Sequence, residues 1–347
     1  MAQTPLKRRT VIAAALGFSF AGNARSASDG QEFLPSGVTP TPPAERRVGV
    51  NYAMWHHDTH WTQDNAKTVP WGTPLLGFYK SDDSAVIRQH AEWIYDANID
   101  FINIDWSNEA GVDPTRNEGP IIKQELEEAT LKLFDVYSTL EKRPKISIMA
   151  GDHQAFIPGG SFDALQAKAD QIYTQFVVNP RYRPLVETYL GKPLLIVFLG
   201  VRISPIQPLW NDDRFTVRFM SAYIREHGPA FYNGPVSTSH YWSWEERGDP
   251  TFTIYGGHPE AMTVVASWRG SSKMVSPGRD SGRTFLANWS DARKIGPRYV
   301  LAGTFNEWWV AEQKSPDISK DIEPSKEFGF LYLDIVKQQA ELFKMGA

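Results

Sequence analysis

The stretch Ile94-Tyr95-Asp96-Ala97-Asn98-Ile99-Asp100-Phe101-Ile102-Asn103-Ile104-Asp105-Trp106 decides how the chain is read. Up to Ala97 its apolar residues continue a helical spacing that begins at Ser84, and from Ile99 they crowd into a nearly continuous apolar run. A helix giving way to such a run marks a parallel strand buried on both faces. The run then ends in chemistry, at Asp105-Trp106-Ser107-Asn108.

The same alternation recurs along the chain. Strand candidates are Val48–Met54, Phe101–Asp105, Lys145–Ala150, Pro193–Leu199, Phe215–Met220, Val236–Tyr241, Thr263–Trp268 and Tyr299–Thr304, eight in all. Between and after them lie helical patterns at Ser84–Ala97, Pro120–Leu140, Phe162–Val177, Ala222–His227, Thr284–Lys294 and Ser325–Phe343, with the fourth and sixth connections irregular. No Gly-x-Gly-x-x-Gly follows the first strand. The pattern therefore predicts an α/β chain folded as a single (β/α)8 TIM barrel rather than a doubly wound dinucleotide fold.

Composition narrows the chemistry. The 347 residues are 41% hydrophobic, with 36 Lys+Arg, 40 Asp+Glu and no Cys, which suits a globular chain with a large core and excludes a disulfide scaffold, a thiolate nucleophile and thiolate-bound metals. Carboxylates, His, Ser, Tyr and Lys are left as catalysts. The 12 Trp exceed what such a core needs.

Lys7-Arg8-Arg9-Thr10 precedes an apolar run from Val11 to Ala21, and Ala24-Arg25-Ser26 places small residues where a signal peptidase cuts. The run is about half the ~20 residues of a membrane-spanning helix, so it reads as a bacterial export signal, the paired arginines pointing to the twin-arginine route. The predicted organisation is a signal over 1–26, a Pro/Ser-rich linker over 27–47 and the barrel over 48–347. Removing the signal deletes Lys7, Arg8, Arg9 and Arg25 and no acid, which takes the net charge from −4 to about −8. With no Lys/Arg run after the signal, a nucleic-acid partner is not expected. A periplasmic or secreted protein without a membrane anchor is.

In such barrels active sites form at the carboxyl ends of the strands. Those ends read Trp55-His56-His57-Asp58, Asp105-Trp106, Gly151-Asp152-His153, His240-Tyr241-Trp242-Ser243-Trp244-Glu245-Glu246, Trp268-Arg269 and Phe305-Asn306-Glu307-Trp308-Trp309. Seven Trp fall there, and Trp61 and Trp71 follow the first strand. Flat rings beside carboxylates and amides suit a sugar, which offers an apolar face and an edge of hydroxyls; the alternative is that these Trp cap and pack the barrel. Glycoside hydrolysis needs two carboxylates. Glu307 is the first candidate, with Glu312, Glu245 or Glu246 as partner, and its alternative is a buried acid paired with Arg269 or a His. Trp55, His56, His57, Asp105, Trp106, Asp152, His153, His240, Trp242, Trp244, Trp268, Arg269, Asn306, Trp308 and Trp309 are the candidate sugar contacts. His56, His57, Asp58 and His60 fit neither His-Glu-x-x-His nor the His-x-His of metal-dependent barrels, so no metal or other cofactor is expected.

With these residues in hand, the chain resembles the glycoside hydrolase family 99 endo-α-mannosidases and endo-α-mannanases. That family carries Asn-Glu-Trp-x-Glu-Gly, then Ile/Leu-Glu-Pro, then Tyr-Gly-x-x-Tyr-Leu. Here Phe305-Asn306-Glu307-Trp308 is followed by Ile322-Glu323-Pro324 and by Phe328-Gly329-Phe330-Leu331-Tyr332-Leu333. Weaker likeness runs through Asp83–Trp106 and Tyr189-Leu190-Gly191-Lys192-Pro193. The resemblance implies a (β/α)8 barrel that cleaves internal α-mannosidic bonds with retention, with Glu307 at the carboxylate that assists attack by the sugar's 2-hydroxyl. The family's second carboxylate lies three residues later, where this chain has Val310. Glu312 lies two residues further on, so Glu312 or an acid from another strand end (Glu245, Glu246, Asp152) takes that part. The expectation is an exported glycoside hydrolase acting on a polysaccharide or oligosaccharide. Its alternatives are a carbohydrate-binding barrel without turnover and a metal-dependent hydrolase built on His56–His60.

Overall fold

The computed structural model describes residues 34–57, 61, 70–107, 120–151, 161–198, 210–221, 241–245, 251–268, 270, 275–308 and 315–347. Among the described residues ten strands and five α-helices follow in the order β1 Arg47–Tyr52, α1 Ser84–Asp96, β2 Phe101–Trp106, α2 Pro120–Tyr137, β3 Lys145–Gly151, α3 Asp163–Ile172, β4 Thr188–Tyr189, β5 Lys192–Phe198, β6 Thr216–Ser221, β7 Tyr241–Ser243, β8 Phe252–Tyr255, β9 His258–Thr263, α4 Arg283–Ile295, β10 Tyr299–Thr304 and α5 Leu331–Met345. The sheet runs β7-β6-β5-β3-β2-β1-β10-β9-β8. Every neighbouring pair from β7 round to β9 is parallel, while β8 hangs antiparallel on β9 and β4 on β5. Eight parallel strands thus form the expected barrel.

Local chemistry explains the α1–β2 unit. The Asp83 side chain accepts from the backbone N–H of Ala85 (2.7 Å) and Val86 (3.4 Å), capping α1. Val86, Ile87, His90, Ala91, Trp93 and Ile94 lay one face on the barrel. Asn98 takes a left-handed φ of 60° and turns the chain into β2.

Inside the barrel, side chains lie in tiers. At the amino-terminal end, Phe101, Tyr299, Leu194 and Trp242 pack into one apolar cluster. Gly49 leaves room for it, because a Cβ there would stand 2.3 Å from the Phe101 ring. Above them Asn103 Nδ2 donates to Asn51 Oδ1 (2.8 Å), Ser147 Oγ donates to Asn103 Oδ1 (3.0 Å) and Asn51 Nδ2 donates to the Gly303 carbonyl (3.1 Å), so a buried polar tier binds β10, β1, β2 and β3. Among the described residues β7 and β9 share no ladder. The seam is closed by side chains: Thr263 Oγ1 donates to the Ser243 carbonyl (2.5 Å), and Glu260 accepts from Trp242 Nε1 (3.0 Å), Tyr189 Oη (2.8 Å) and Arg218 Nε (2.8 Å). A buried ion pair is costly unless further hydrogen bonds surround it, and here the Glu260 carboxylate accepts three.

Three boundaries differ from expectation. The seventh barrel strand is His258–Thr263, ending where Thr263–Trp268 was expected to begin; Glu260 inside the seam breaks the apolar pattern, while the buried Val264-Val265-Ala266 run lies past the ladder. The last helix starts at Leu331, not Ser325, because Ser325 and Gly329 close a turn, with Gly329 at φ 57°. The helical pattern to Val177 ends in a π-helical turn over Tyr173–Val177. The export signal over 1–26, the helix Ala222–His227 and the strand candidate Val236–Tyr241 up to its last residue lie outside the described residues, and Tyr241 opens β7. The expected linker is seated on the barrel in its described part: Thr41 is buried, its N–H bonds the Gly296 carbonyl (2.8 Å) and its hydroxyl the Pro259 carbonyl (3.1 Å). Backbone hydrogen bonds of this kind leave no periodicity to read.

Gly49→Ala should destabilise the fold by roughly 1–3 kcal/mol through overpacking. Adding Phe101→Leu should recover at least half of that loss in a denaturation double-mutant cycle, and additive effects would show that the two positions do not collide.

Candidate active site

Glu307 stands three residues beyond β10, where the chain must leave the barrel wall and return. Asp321 makes that turn. Its carboxylate accepts from the Glu307 N–H (2.8 Å), the Trp308 N–H (2.8 Å), Thr304 Oγ1 (2.5 Å), Trp71 Nε1 (2.7 Å) and Ser319 Oγ (3.2 Å). Trp308 adopts φ 63°, a conformation a bulky residue takes only under compulsion. Its ring stacks on Trp71 at 4.6 Å, and its Nε1 donates to Glu323 (2.6 Å). With Trp308 drawn into the wall, its neighbour Glu307 is left at the mouth, its side chain 24% exposed.

Lys320 faces it. Its ammonium lies 2.7 Å from Glu307 Oε2 and 2.8 Å from Glu245 Oε2, on a side chain 14% exposed, and 5.9 Å from the centre of the Trp244 ring. Two oxygens touching one nitrogen at those distances are separated by no more than their sum. Oxygens held within that limit suit the close approach of ~5–5.5 Å of a nucleophilic carboxyl pair better than the ~6.5–9.5 Å that admits a water between them. Burial pushes Glu307 up to about 7; Lys320 pulls down, while Asp321 and Glu245 push up. Asp105, at the end of β2, is likewise raised by burial, against the pull of its hydrogen bonds from Ser107 and of the Lys320 charge.

The structure brings together Glu307, Glu245, Asp105 and Trp244 of the residues singled out in the sequence. Others it holds elsewhere. Trp106 is fully buried outside the barrel wall, its Nε1 on Thr130 Oγ1 (2.9 Å) and its ring beside Phe176 and under Lys168. Trp242 is inside the barrel at the seam. Asn306 is fully buried, accepting from the Ala53 N–H (2.8 Å) and donating to the Ala53 carbonyl (3.1 Å), so it staples β10 to the exit of β1. His56 donates Nε2–H to the Asn306 carbonyl (2.8 Å) and stacks on Trp61 (4.6 Å). His57 lies 3.5 Å from Glu125, and Trp55 lies partly exposed beside His56. Trp268, 8% exposed, lies five residues past β9. Glu312, Glu246, Asp152, His153, His240, Arg269, Trp309, Asp58 and His60 lie outside the described residues. Among the described residues no group of three or more His, Asp or Glu could hold a metal ion, and no helix is long and apolar enough to cross a membrane.

Sequence reading missed Lys320, Asp321 and the buried set behind Trp308. In that set Glu323 accepts from Tyr79 Oη (2.8 Å) and His90 Nε2 (3.1 Å), and Tyr52 Oη bonds His90 Nδ1 (2.7 Å). The available signal was Ser319-Lys320-Asp321, three polar residues just before the apolar Ile322, at the end of a long loop.

No family model matches the chain, and no curated protein matches it. Two solved structures of a GH99 endo-α-mannosidase from Bacteroides thetaiotaomicron share its fold. The one in complex with BIS-TRIS-propane has a TM-score of 0.56 at 15% identity, and the other 0.55 at 14%; both alignments cover 86% of this chain and 98% of theirs. The class defined by architecture is thus the (β/α)8 barrel, in the form these mannosidase structures take.

Asp321→Asn should cost ~2–5 kcal/mol, because an amide NH2 set among five donors leaves buried groups unpaired; thermal unfolding checks it. Glu307→Gln should act in the opposite sense, with a pH signature. Between about 4.5 and 7 the unfolded chain has lost the Glu307 proton while the folded chain keeps it, so wild-type stability falls across that window. The glutamine has no proton to lose. The variant should match wild type below pH 4 and exceed it by up to ~3 kcal/mol above pH 7, and a pH-independent difference would refute the burial account.

Proposed function

We propose that the protein is an exported glycoside hydrolase that cleaves a polysaccharide or oligosaccharide with Glu307 and Glu245 as its carboxyl pair. The observation that carries this is the close approach of the two acids across Lys320 at the carboxyl end of the barrel. Glu307, raised to about 7, holds a proton near neutral pH and gives it to the departing glycosidic oxygen. Glu245 faces the anomeric carbon and bonds to it as the leaving group departs. Water then breaks that ester, its proton passing to Glu307. The short carboxyl separation supports retention of configuration. Trp244, beside the Lys320 ammonium, supplies ring surface for a pyranose. The fold shared with an endo-α-mannosidase makes α-mannans the first substrates to try, and the twin-arginine sequence supports a periplasmic or secreted location.

Glu307→Gln should lower kcat/KM on the cognate glycan by about 10³-fold or more without loss of thermal stability. In the wild type, kcat/KM should fall as pH rises through about 7, because the acid form is lost there. Chelator should leave activity unchanged. Glycan binding by calorimetry with no new reducing ends would replace this reading with that of a binding barrel.

A further inference from the structure

We propose that Lys320 is the positioning residue of this site: its ammonium draws Glu245 from the β7 side and Glu307 from the β10 side into one pair. The chain thereby obtains its carboxyl pair from two strand ends that only β9 separates around the closed sheet. The proposal rests on the hydrolase reading of those two acids.

The backbone on both sides of Lys320 is clamped. Arg279, 1% exposed, donates Nε–H to the Ser319 carbonyl (3.0 Å) and Nη2–H to the Asp321 carbonyl (2.7 Å), and its guanidinium lies 4.9 Å from the Trp71 ring and 4.1 Å from the Tyr332 ring. Asp321 also pairs with Thr304 as a β-bridge, and the Lys320 carbonyl presses against Gly303, where a Cβ would approach it to 3.0 Å. A long flexible side chain rooted this firmly, and only 14% exposed, delivers its charge to one place. A simple loop staple needs one acid. Lys320 meets two by contact, and its charge also reaches Asp105. The charged groups that act most strongly on Glu307 are Lys320 and Asp321 on the returning loop and Glu245 beyond β7. Two carboxylates set this close repel unless a cation stands between them.

The test compares wild type, Lys320→Met, Lys320→Arg and Glu307→Gln. Carbon-13 NMR of labelled glutamate carboxyls, with the Glu307 signal assigned by its loss in Glu307→Gln, reads its titration without any substrate. In Lys320→Met the midpoint should rise by at least one pH unit, and kcat/KM on the cognate glycan should fall at least 10²-fold. Lys320→Arg should hold the midpoint within half a unit of wild type. A midpoint unmoved in Lys320→Met overturns the proposal, as does an activity loss that only tracks a lowered unfolding temperature. If the midpoint moves but wild-type protein cleaves no glycan, the arrangement of Lys320 is supported and the hydrolase reading fails by itself.

Discussion

The carboxylate of Asp321 is the constraint on which the mouth of the barrel depends. The wall ends at Thr304, and four residues later the chain carries a tryptophan in a left-handed conformation that costs of order 1–3 kcal/mol. Two backbone N–H groups and three side-chain donors converge on Asp321. Hydrogen bonds to a buried charge are the strong kind, and together they offset that cost. Trp308 then enters the wall, where Trp71 and Glu323 receive it, and Glu307 is left at the mouth, against Lys320.

What lies beneath the mouth sets its electrostatics. The tiers from Phe101 and Tyr299 through the Asn51–Asn103–Ser147 array leave little water below Asp105 and Glu307, so their neutral forms gain. Lys320 works against that tendency, its ammonium in contact with Glu245 and Glu307 and its charge acting on Asp105. Stability and chemistry are therefore opposed at Glu307: the burial that gives it a proton at neutral pH weakens the fold as pH rises. The hydrogen-bonded surroundings of Asp321 and Glu323 carry that load, as does the sealed seam at Glu260.

The strand–helix alternation was legible because each unit repeats the same physical need, an apolar strand covered by an amphipathic helix. Where a strand broke that need it was misplaced: β9 carries Glu260 into the seam and so did not read as a strand. The tryptophans show the same limit. Their clustering at strand ends was visible, but Trp106 serves the outer wall, Trp242 the interior and Trp244 the mouth. Strands alternate their faces, and one residue of shift moves a ring from one environment to the other.

The sequence by itself determined the architecture and one chemical landmark, Glu307 at the end of the last strand, because periodic burial and position along a barrel strand are local properties of the chain. Tertiary structure decided the company that landmark keeps. Glu245 lies 62 positions before Glu307, and Lys320 lies 13 after it. Only closure of the sheet brings strand ends so distant in sequence around one ammonium, and no spacing along the chain encodes that meeting.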